Sequence, residues 1–368
     1  MARMTKEERL DRVHDEALRE FGKIQSALRD ERLQCLQDRR FYSLAGSQWE
    51  GPLGRQFENK PRLEVNKIHL SVIRIFNEYR NNRITVKFVS RDGSEHDALA
   101  DMCADLYRAD EQDSTADEAY DNAFEEAVGG GIGAWRLRTE YEDESDPEDE
   151  RQRIRIEPIY DADSSVFFDL NAKRQDKSDA KYAYVMSSMS RVEFAETWGG
   201  NPASWPKIIH QYEFDWMTPD VVYIAEYYKV EEKTETLHVY RDVNGNEVRH
   251  TDEDFESDEG LANFLEATGA KEIRTKRIKQ KRVHKYIMSG AKILEDCGYI
   301  AGKAIPVIPN YGKRWFVDNV ERCMGHVRLA KDAQRLKNMQ LSKLAEISSL
   351  STVEKPIVMP EQIAGHHR

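Results

Sequence analysis

Residues 116–141 read ADEAYDNAFEEAVGGGIGAWRLRTEY, and within them the hydrophobic period changes once. Up to Ala127 the residues Ala116, Ala119, Tyr120, Ala123, Phe124 and Ala127 recur every three or four positions, the spacing of one helix face. Ser114 is a plausible cap at its start, and Gly129 to Gly131 stop it. Beyond the glycines, Trp135, Leu137, Thr139 and Tyr141 alternate with Arg136, Arg138 and Glu140, the period of two of a half-buried strand. After an acidic loop, Ile154 and Ile156 alternate with Arg153 and Arg155, so the whole is a long hairpin. A helix running through a glycine stop into a hairpin reads as α+β.

Upstream, Leu10, Val13, Ala17, Phe21, Ile24 and Leu28 place one apolar stripe on a helix whose other faces are almost all charged. Gly46, Gly51, Pro52, Gly54 and Pro61 mark a loop, with Trp49 and Phe57 to dock it. A second helix follows with Val65, Ile68, Val72, Ile75 and Tyr79 inward, then a short strand from Ile84 to Val89 turned by Arg91-Asp92-Gly93. A further helix presents Leu99, Met102, Cys103, Leu106 and Tyr107 as one face, suited to pairing with the Ala-rich helix after it.

Downstream, Val166 to Phe168, Tyr182 to Met186 and Val221 to Val230 are short runs among the breakers Gly199-Gly200-Asn201-Pro202 and Met217-Thr218-Pro219. Leu237 to Tyr240 and Glu247 to His250 flank Asn244-Gly245, a hairpin signal. Asp252 to Glu259 is acidic and solvated in this reading, and Ile273 to Met288 is a basic strand. Pro306 and Pro309 precede a long helix, roughly Glu321 to Leu350, with Val327, Leu329, Ala333, Leu336, Met339, Leu344 and Ile347 as its packing stripe. Thirty residues span ~45 Å, against a compact radius of gyration of ~21 Å for this length, so the helix is expected to project or to pack against other chains.

Composition bounds the function. The 368 residues carry a net charge of -12, which argues against a dedicated duplex-binding domain. Cysteines 35, 103, 297 and 323 show neither a disulfide framework nor zinc spacing, and a reducing compartment is the default. No stretch approaches the ~18 apolar residues of a membrane span. Gly129 to Ala134 fits the letters of a dinucleotide fingerprint but has its helix before and its strand after, the wrong order for a pyrophosphate site. No P-loop, nucleophile elbow, zinc-protease or EF-hand pattern occurs, and His366-His367 reads as an accidental pair, so neither catalysis nor any cofactor or metal is expected. Glu140 to Glu150 holds eight acids in eleven residues, read as a solvated hairpin tip. Lys271 to Lys285 holds eight bases in fifteen, and lacks the interleaved aromatics of a single-strand binder. Lys276, Arg277, Lys279, Lys281 and Arg282 are therefore expected to pair with the acidic stretch 252–259 or with a neighbouring subunit.

The residues also carry a resemblance. Gly131-Ile132-Gly133-Ala134-Trp135-Arg136-Leu137 with Tyr141-Glu142-Asp143, and Asp176-Lys177-Ser178-Asp179-Ala180, resemble segments of the portal proteins of lambdoid, headful-packaging podoviruses. So do Ile224-Ala225-Glu226, Lys281-Arg282-Val283-His284-Lys285, Ile300-Ala301-Gly302 and Ile305-Pro306-Val307-Ile308-Pro309. The closest similarity is Arg328-Leu329-Ala330-Lys331-Asp332-Ala333-Gln334-Arg335-Leu336-Lys337-Asn338-Met339, followed by Pro360-Glu361-Gln362-Ile363-Ala364-Gly365. The matches keep one order from about Gln48 to Gly365.

The resemblance implies an α+β wing over residues 1–310, a projecting stem helix over 311–350 and the start of a clip over 351–368. It implies a ring of twelve copies at one capsid vertex, in the virion and beforehand in the host cytoplasm, through which duplex DNA passes. Terminase, scaffolding, capsid and tail proteins would be its partners, with no membrane and no catalysis. Family members are roughly twice as long, so this chain is expected to be a fragment. A conduit must let a polyanion slide, which a net negative charge with a few guiding cations permits. Lys331, Arg335 and Lys343 of the long helix are the expected guides. The alternative from another class is an oligomeric scaffold or adaptor without a DNA role.

Overall fold

The computed structural model describes residues 5–90, 97–142, 151–199, 203–206, 221–241, 247–252, 255, 265 and 271–350. The turn at 91–93, most of the acidic hairpin tip, the breakers at 200–202 and 217–219, the Asn244-Gly245 turn, most of 252–259, the clip segment 351–368 and His366-His367 lie outside them.

Helix α1 (Lys6–Ser43) runs 38 residues, opened by Thr5 and Glu8 in a reciprocal capping box. Its stripe extends past Leu28 through Cys35, Leu36 and Phe41. Not all of its charged residues stay outside: Glu31, Arg32 and Asp38 are buried, each against a partner on another element. The loop after α1 docks as expected, through α2 (Pro52–Gln56) and a ring contact of 5.1 Å between the buried Trp49 and Phe57.

Helix α3 (Lys67–Asn81) buries Ile68 and Val72, and Tyr79 stacks on Phe124 at 4.0 Å. Val65, assigned to the same inward face, is exposed and precedes the helix. Residues Ile84 to Val89 form no strand, and no strand among the described residues pairs with them; Ile84 is 89% exposed. Helix α4 (Asp97–Asp113) and helix α5 (Ala116–Gly129) do pair, but through only part of the predicted face: Tyr107 meets Tyr120 of α5 at 3.3 Å and Cys103 is half-buried, while Ala104 turns inward and Leu99, Met102 and Leu106 stay in solvent. Nor does Ser114 cap α5. Thr115 holds the cap position in a left-handed conformation without a side-chain cap bond, and the Ser114 hydroxyl donates to Ile154 O instead.

The hairpin forms from β1 (Ile132–Tyr141) and β2 (Gln152–Ile159), with Leu137 opposite Ile156. The glycines serve close packing rather than phosphate. Gly131 sits at φ +115 against Met324, and a Cβ on Gly133 would lie 2.0 Å from Ala123 O. A short α6 (Ala162–Ser165) leads to β3 (Val166–Phe168) and β4 (Tyr182–Ser190), then α7 (Arg191–Trp198). Next come β5 (Val221–Arg241), β6 (Glu247–Thr251), β7 (Lys271–Met288) and β8 (Ile293–Ile300). These strands make one antiparallel sheet in the order β3-β4-β5-β7-β8, with β6 beside β5. Phe21 of α1 meets it edge-on, 5.3 Å from Phe167, 5.2 Å from Tyr184 and 5.4 Å from Trp205.

Strand β9 (Val307–Tyr311) completes a second sheet beside β1, and β10 (Lys313–Val317) pairs with β11 (Val320–Met324). Glu321 to Met324 are therefore strand, and the final helix α8 starts only at His326, running to Leu350. It lies against α1, α3 and α5.

Candidate functional site

The seam between α1 and α8 begins with two buried acids two helical turns apart on α1. Glu31 accepts from Arg328 (2.9 Å), from Arg322 (3.2 Å) and from the backbone N–H of Cys323 (3.2 Å). Asp38, 1% exposed, accepts from Arg328 Nε at 2.7 Å and is ion-paired with Lys331. The guanidinium held between the two carboxylates has its pKa pushed further up, so it is charged throughout. Lys331 and Arg335 also lie over the Phe41 ring, at 5.5 and 5.2 Å. The two are on one helix face, as predicted, but that face is turned to α1. Of the three proposed guides, Lys343 is exposed.

Below the ion pairs the seam is a polar ladder. Gln334, Asn338 and Ser342, spaced four apart on one face of α8, are all buried. They accept from the backbone N–H groups of Lys67, Val65 and Leu63, at 3.2, 3.2 and 2.9 Å. Gln334 donates back to Val65 O at 2.7 Å and Asn338 donates to Gln48 at 2.6 Å. The extended segment before α3 thus finds on α8 the hydrogen bonds a neighbouring strand would have given it.

The predicted stripe of α8 is split. Val327 is fully buried, whereas Leu329, Leu336, Leu344 and Ile347 are 76, 50, 61 and 62% exposed. At 100° per residue these four stand on one side of the helix. Placing the polar ladder inside forces them outside.

Most of the stretch 252–259 that the basic strand β7 was expected to meet lies outside the described residues. Strand β7 itself runs antiparallel to β5, with Arg282 opposite Glu231 and Lys281 opposite Glu232. Lys281 contacts Glu232 at 3.6 Å, and Arg282 lies over Tyr299. Alternation puts Arg277, Lys279 and Lys281 on one face of the ribbon and Lys276 and Arg282 on the other. From the acidic stretch, Asp252 instead accepts from Thr236 N and His238, and it lies 3.0 Å from the latter.

Two other groups were not legible in the sequence. A cleft of about 870 Å³ between α1, α5, β2 and β4 is lined by Arg39, Glu126 and Asp161. Burial pushes the Glu126 carboxyl up to about 7 although Arg39 and the N–H groups of Asp161 and Ala162 oppose it. The donor atoms of Glu31, Cys35 and Cys323 lie within 4.8 Å of one another, a spacing a metal could use. Arg328 fills that role: its guanidinium is 3.4 Å from Cys35 Sγ and already pairs with Glu31, and a second cation there would be repelled. The bond to Cys323 and burial push the Cys35 thiol well up, which keeps it neutral.

Asp38 and the Gln334, Asn338, Ser342 ladder are the elements that sequence reading missed. A spacing of four among amides and a hydroxyl was visible, but the leucine row beside it carried the stronger signal.

Comparison with known proteins places this geometry in context. The family model of phage P22-like portal proteins matches residues 18–368. The portal protein of Acyrthosiphon pisum secondary endosymbiont phage 1 is 41% identical over 363 residues, covering 97% of this chain and 50% of the relative. The chain thus spans about half the length of the curated relative it matches.

Proposed function

Because the chain belongs to the phage P22-like portal protein family, we propose that it is a subunit of the ring at one capsid vertex through which DNA is packaged and ejected. Terminase, scaffolding, capsid and tail proteins are its partners in that reading, and assembly occurs in the host cytoplasm. Residues 1–310 serve as the wing, α8 belongs to the stem and 351–368 begin the clip. We assign it no catalytic step.

The observation that carries this reading beyond family membership is the orientation of α8. A helix that buries amides and exposes leucines is unfavourable for a solitary chain, because apolar area left in water forfeits about 25 cal/mol per Å². It is favourable for one whose outer face is covered in an assembly. The scaffold without a DNA role loses ground to the family match.

Guidance of DNA falls to Lys343 among the three cations first considered, since Lys331 and Arg335 are committed to Asp38 and Phe41. Exposed cations repeated around a ring attract phosphate weakly and are screened within ~10 Å at 0.1 M salt, which suits sliding. The charges of β7 serve subunit contact, with Lys276, Arg277, Lys279, Lys281 and Arg282 as the contributors.

Electron microscopy of the purified protein tests the reading. Averages viewed along the symmetry axis should show closed rings with a central opening wide enough for a duplex. Open filaments or monomers alone would contradict it.

A further inference from the structure

We propose that Cys35 and Cys323 form an oxidisable dithiol site, which a hydroperoxide converts to a disulfide that staples α1 to β11. The site lies within one subunit and is independent of ring closure.

Cysteines 35 and 323 are 288 positions apart, and the fold brings their Sγ atoms to 3.8 Å. Both are free thiols. Cys35 is wholly buried and Cys323 is 4% exposed, and together with Ile132 they make one small apolar cluster. The backbone around each is closely packed. A Cβ on Gly130 would stand 3.2 Å from Cys35 O, and one on Gly325, two residues after Cys323, would stand 2.3 Å from Val128 O. The Cys323 N–H also donates, at 3.2 Å, to Glu31, one turn before Cys35 on α1. Thiols confined in this way meet at high effective concentration, whereas closing so long a loop in the unfolded chain costs entropy. To bond, the sulfurs must close to ~2.05 Å, an approach of under ~2 Å.

The surroundings divide the roles. The hydrogen bond between the thiols holds Cys323 below its ordinary pKa while Cys35 is pushed up, so Cys323 supplies the first thiolate. It attacks one oxygen of hydrogen peroxide, the O–O bond breaks, and hydroxide leaves to take a proton from solvent. Cys323 is then a sulfenic acid. Cys35 attacks that sulfur, the S–O bond breaks, and the Cys35 proton departs with the hydroxyl as water. Negative charge developing on Cys35 during this step faces a guanidinium nitrogen of Arg328 at 3.4 Å. The two sulfurs lose two electrons in all, and the peroxide is reduced to two waters. Peroxide is hardly larger than water and needs little opening to enter; a tripeptide thiol needs far more, so the bond is slow to be reduced again. What the staple fixes is the root of α8, since Cys323 lies three residues before His326.

The test uses the chain with Cys103→Ser and Cys297→Ser, which leaves Cys35 and Cys323 as its only thiols. It is treated with millimolar hydrogen peroxide, alkylated, and digested without reductant for mass spectrometry. The expected product is a cross-linked pair of peptides carrying Cys35 and Cys323, in a protein that has lost two hydrogens. Its thermal midpoint should rise by roughly 4 °C and return with dithiothreitol. Hydrogen exchange in the first turn of α8 should slow in the oxidised form. In Cys35→Ala, where the second step has no thiol, dimedone should label Cys323. The unsubstituted chain, mapped in the same way, gives the cross-link reading should the two serine substitutions disturb folding. Two thiols that still alkylate after peroxide and unfolding, or a sulfinic acid at Cys323 without a cross-link, would overturn the site. A cross-link that leaves both the midpoint and the exchange of α8 unchanged would overturn the staple.

Discussion

Helices α1 and α8 are the two longest of the chain and are built on opposite plans. The first buries its apolar stripe, with Ala17, Phe21 and Ile24 almost wholly enclosed, and keeps most of its charges in water. The second buries Gln334, Asn338 and Ser342 and keeps its leucines in water. One is stabilised by area removed from water, the other by hydrogen bonds and by the clamp of Asp38 and Glu31 on Arg328. The contrast separates a helix that makes the subunit from one that the subunit presents to something else.

The sharpest break in that contrast comes from truncating each stripe. Phe21→Ala should cost about 3–5 kcal/mol of folding stability, whereas Leu336→Ala should stay within about 0.5 kcal/mol. Denaturant titration measures both. Equal losses would mean that α8 is an ordinary core helix. Next in size is Asp38→Ala, which strips Arg328 and Lys331 of their common partner; about 3 kcal/mol is expected, as when a buried pair loses one member. Hydrogen exchange should then show α8 opening before α1. Asn338→Ala breaks the ladder at its centre and should cost about 1–3 kcal/mol, with faster exchange at Val65, whose N–H loses its acceptor.

The smallest effect sharpens the picture of α1. Its Arg39 faces Glu126, whose carboxyl is held up at about 7 by burial. The folded state therefore keeps a proton on Glu126 that the unfolded chain releases near its ordinary 4.5, so this group lowers stability as pH rises between 4.5 and about 7. Asp163, raised by burial as well, acts in the same direction. Glu126→Gln should flatten the decline across that window, as read from thermal unfolding at several pH values. An unchanged slope would place the titration on other groups.

How much of this was legible in the sequence follows from what periodicity encodes. For α1, apolar spacing and a partner sheet of the same chain agree, and the stripe from Leu10 to Leu28 reads through directly. The hairpin from Trp135 to Ile156 is equally plain, because alternation and the glycine stop point to one register. For α8, periodicity reveals two faces but not which one the subunit covers. The choice was made by the backbone of Leu63, Val65 and Lys67, which needed hydrogen-bond partners and found them on the amide side. The same ambiguity rotated α4, so that Tyr107 of its expected face meets α5 while Leu99, Met102 and Leu106 do not. Residues Ile84 to Val89 have strand composition but find no strand to pair with among the described residues, something a local pattern cannot report. Nor can it report Lys331 and Arg335, whose charges look solvated until Asp38 and Phe41 are brought beside them.

The most direct test is a high-resolution cryo-microscopy structure of the assembled protein, read at Leu329, Leu336, Leu344 and Ile347. The expected result is that all four are buried under a neighbouring subunit while Phe21 remains inside its own, with Arg328 still clamped between Glu31 and Asp38. Finding these four residues in solvent, with no protein against them in the assembly, would contradict the division of labour between the two helices and the reading of α8 as a surface that is covered in the assembly.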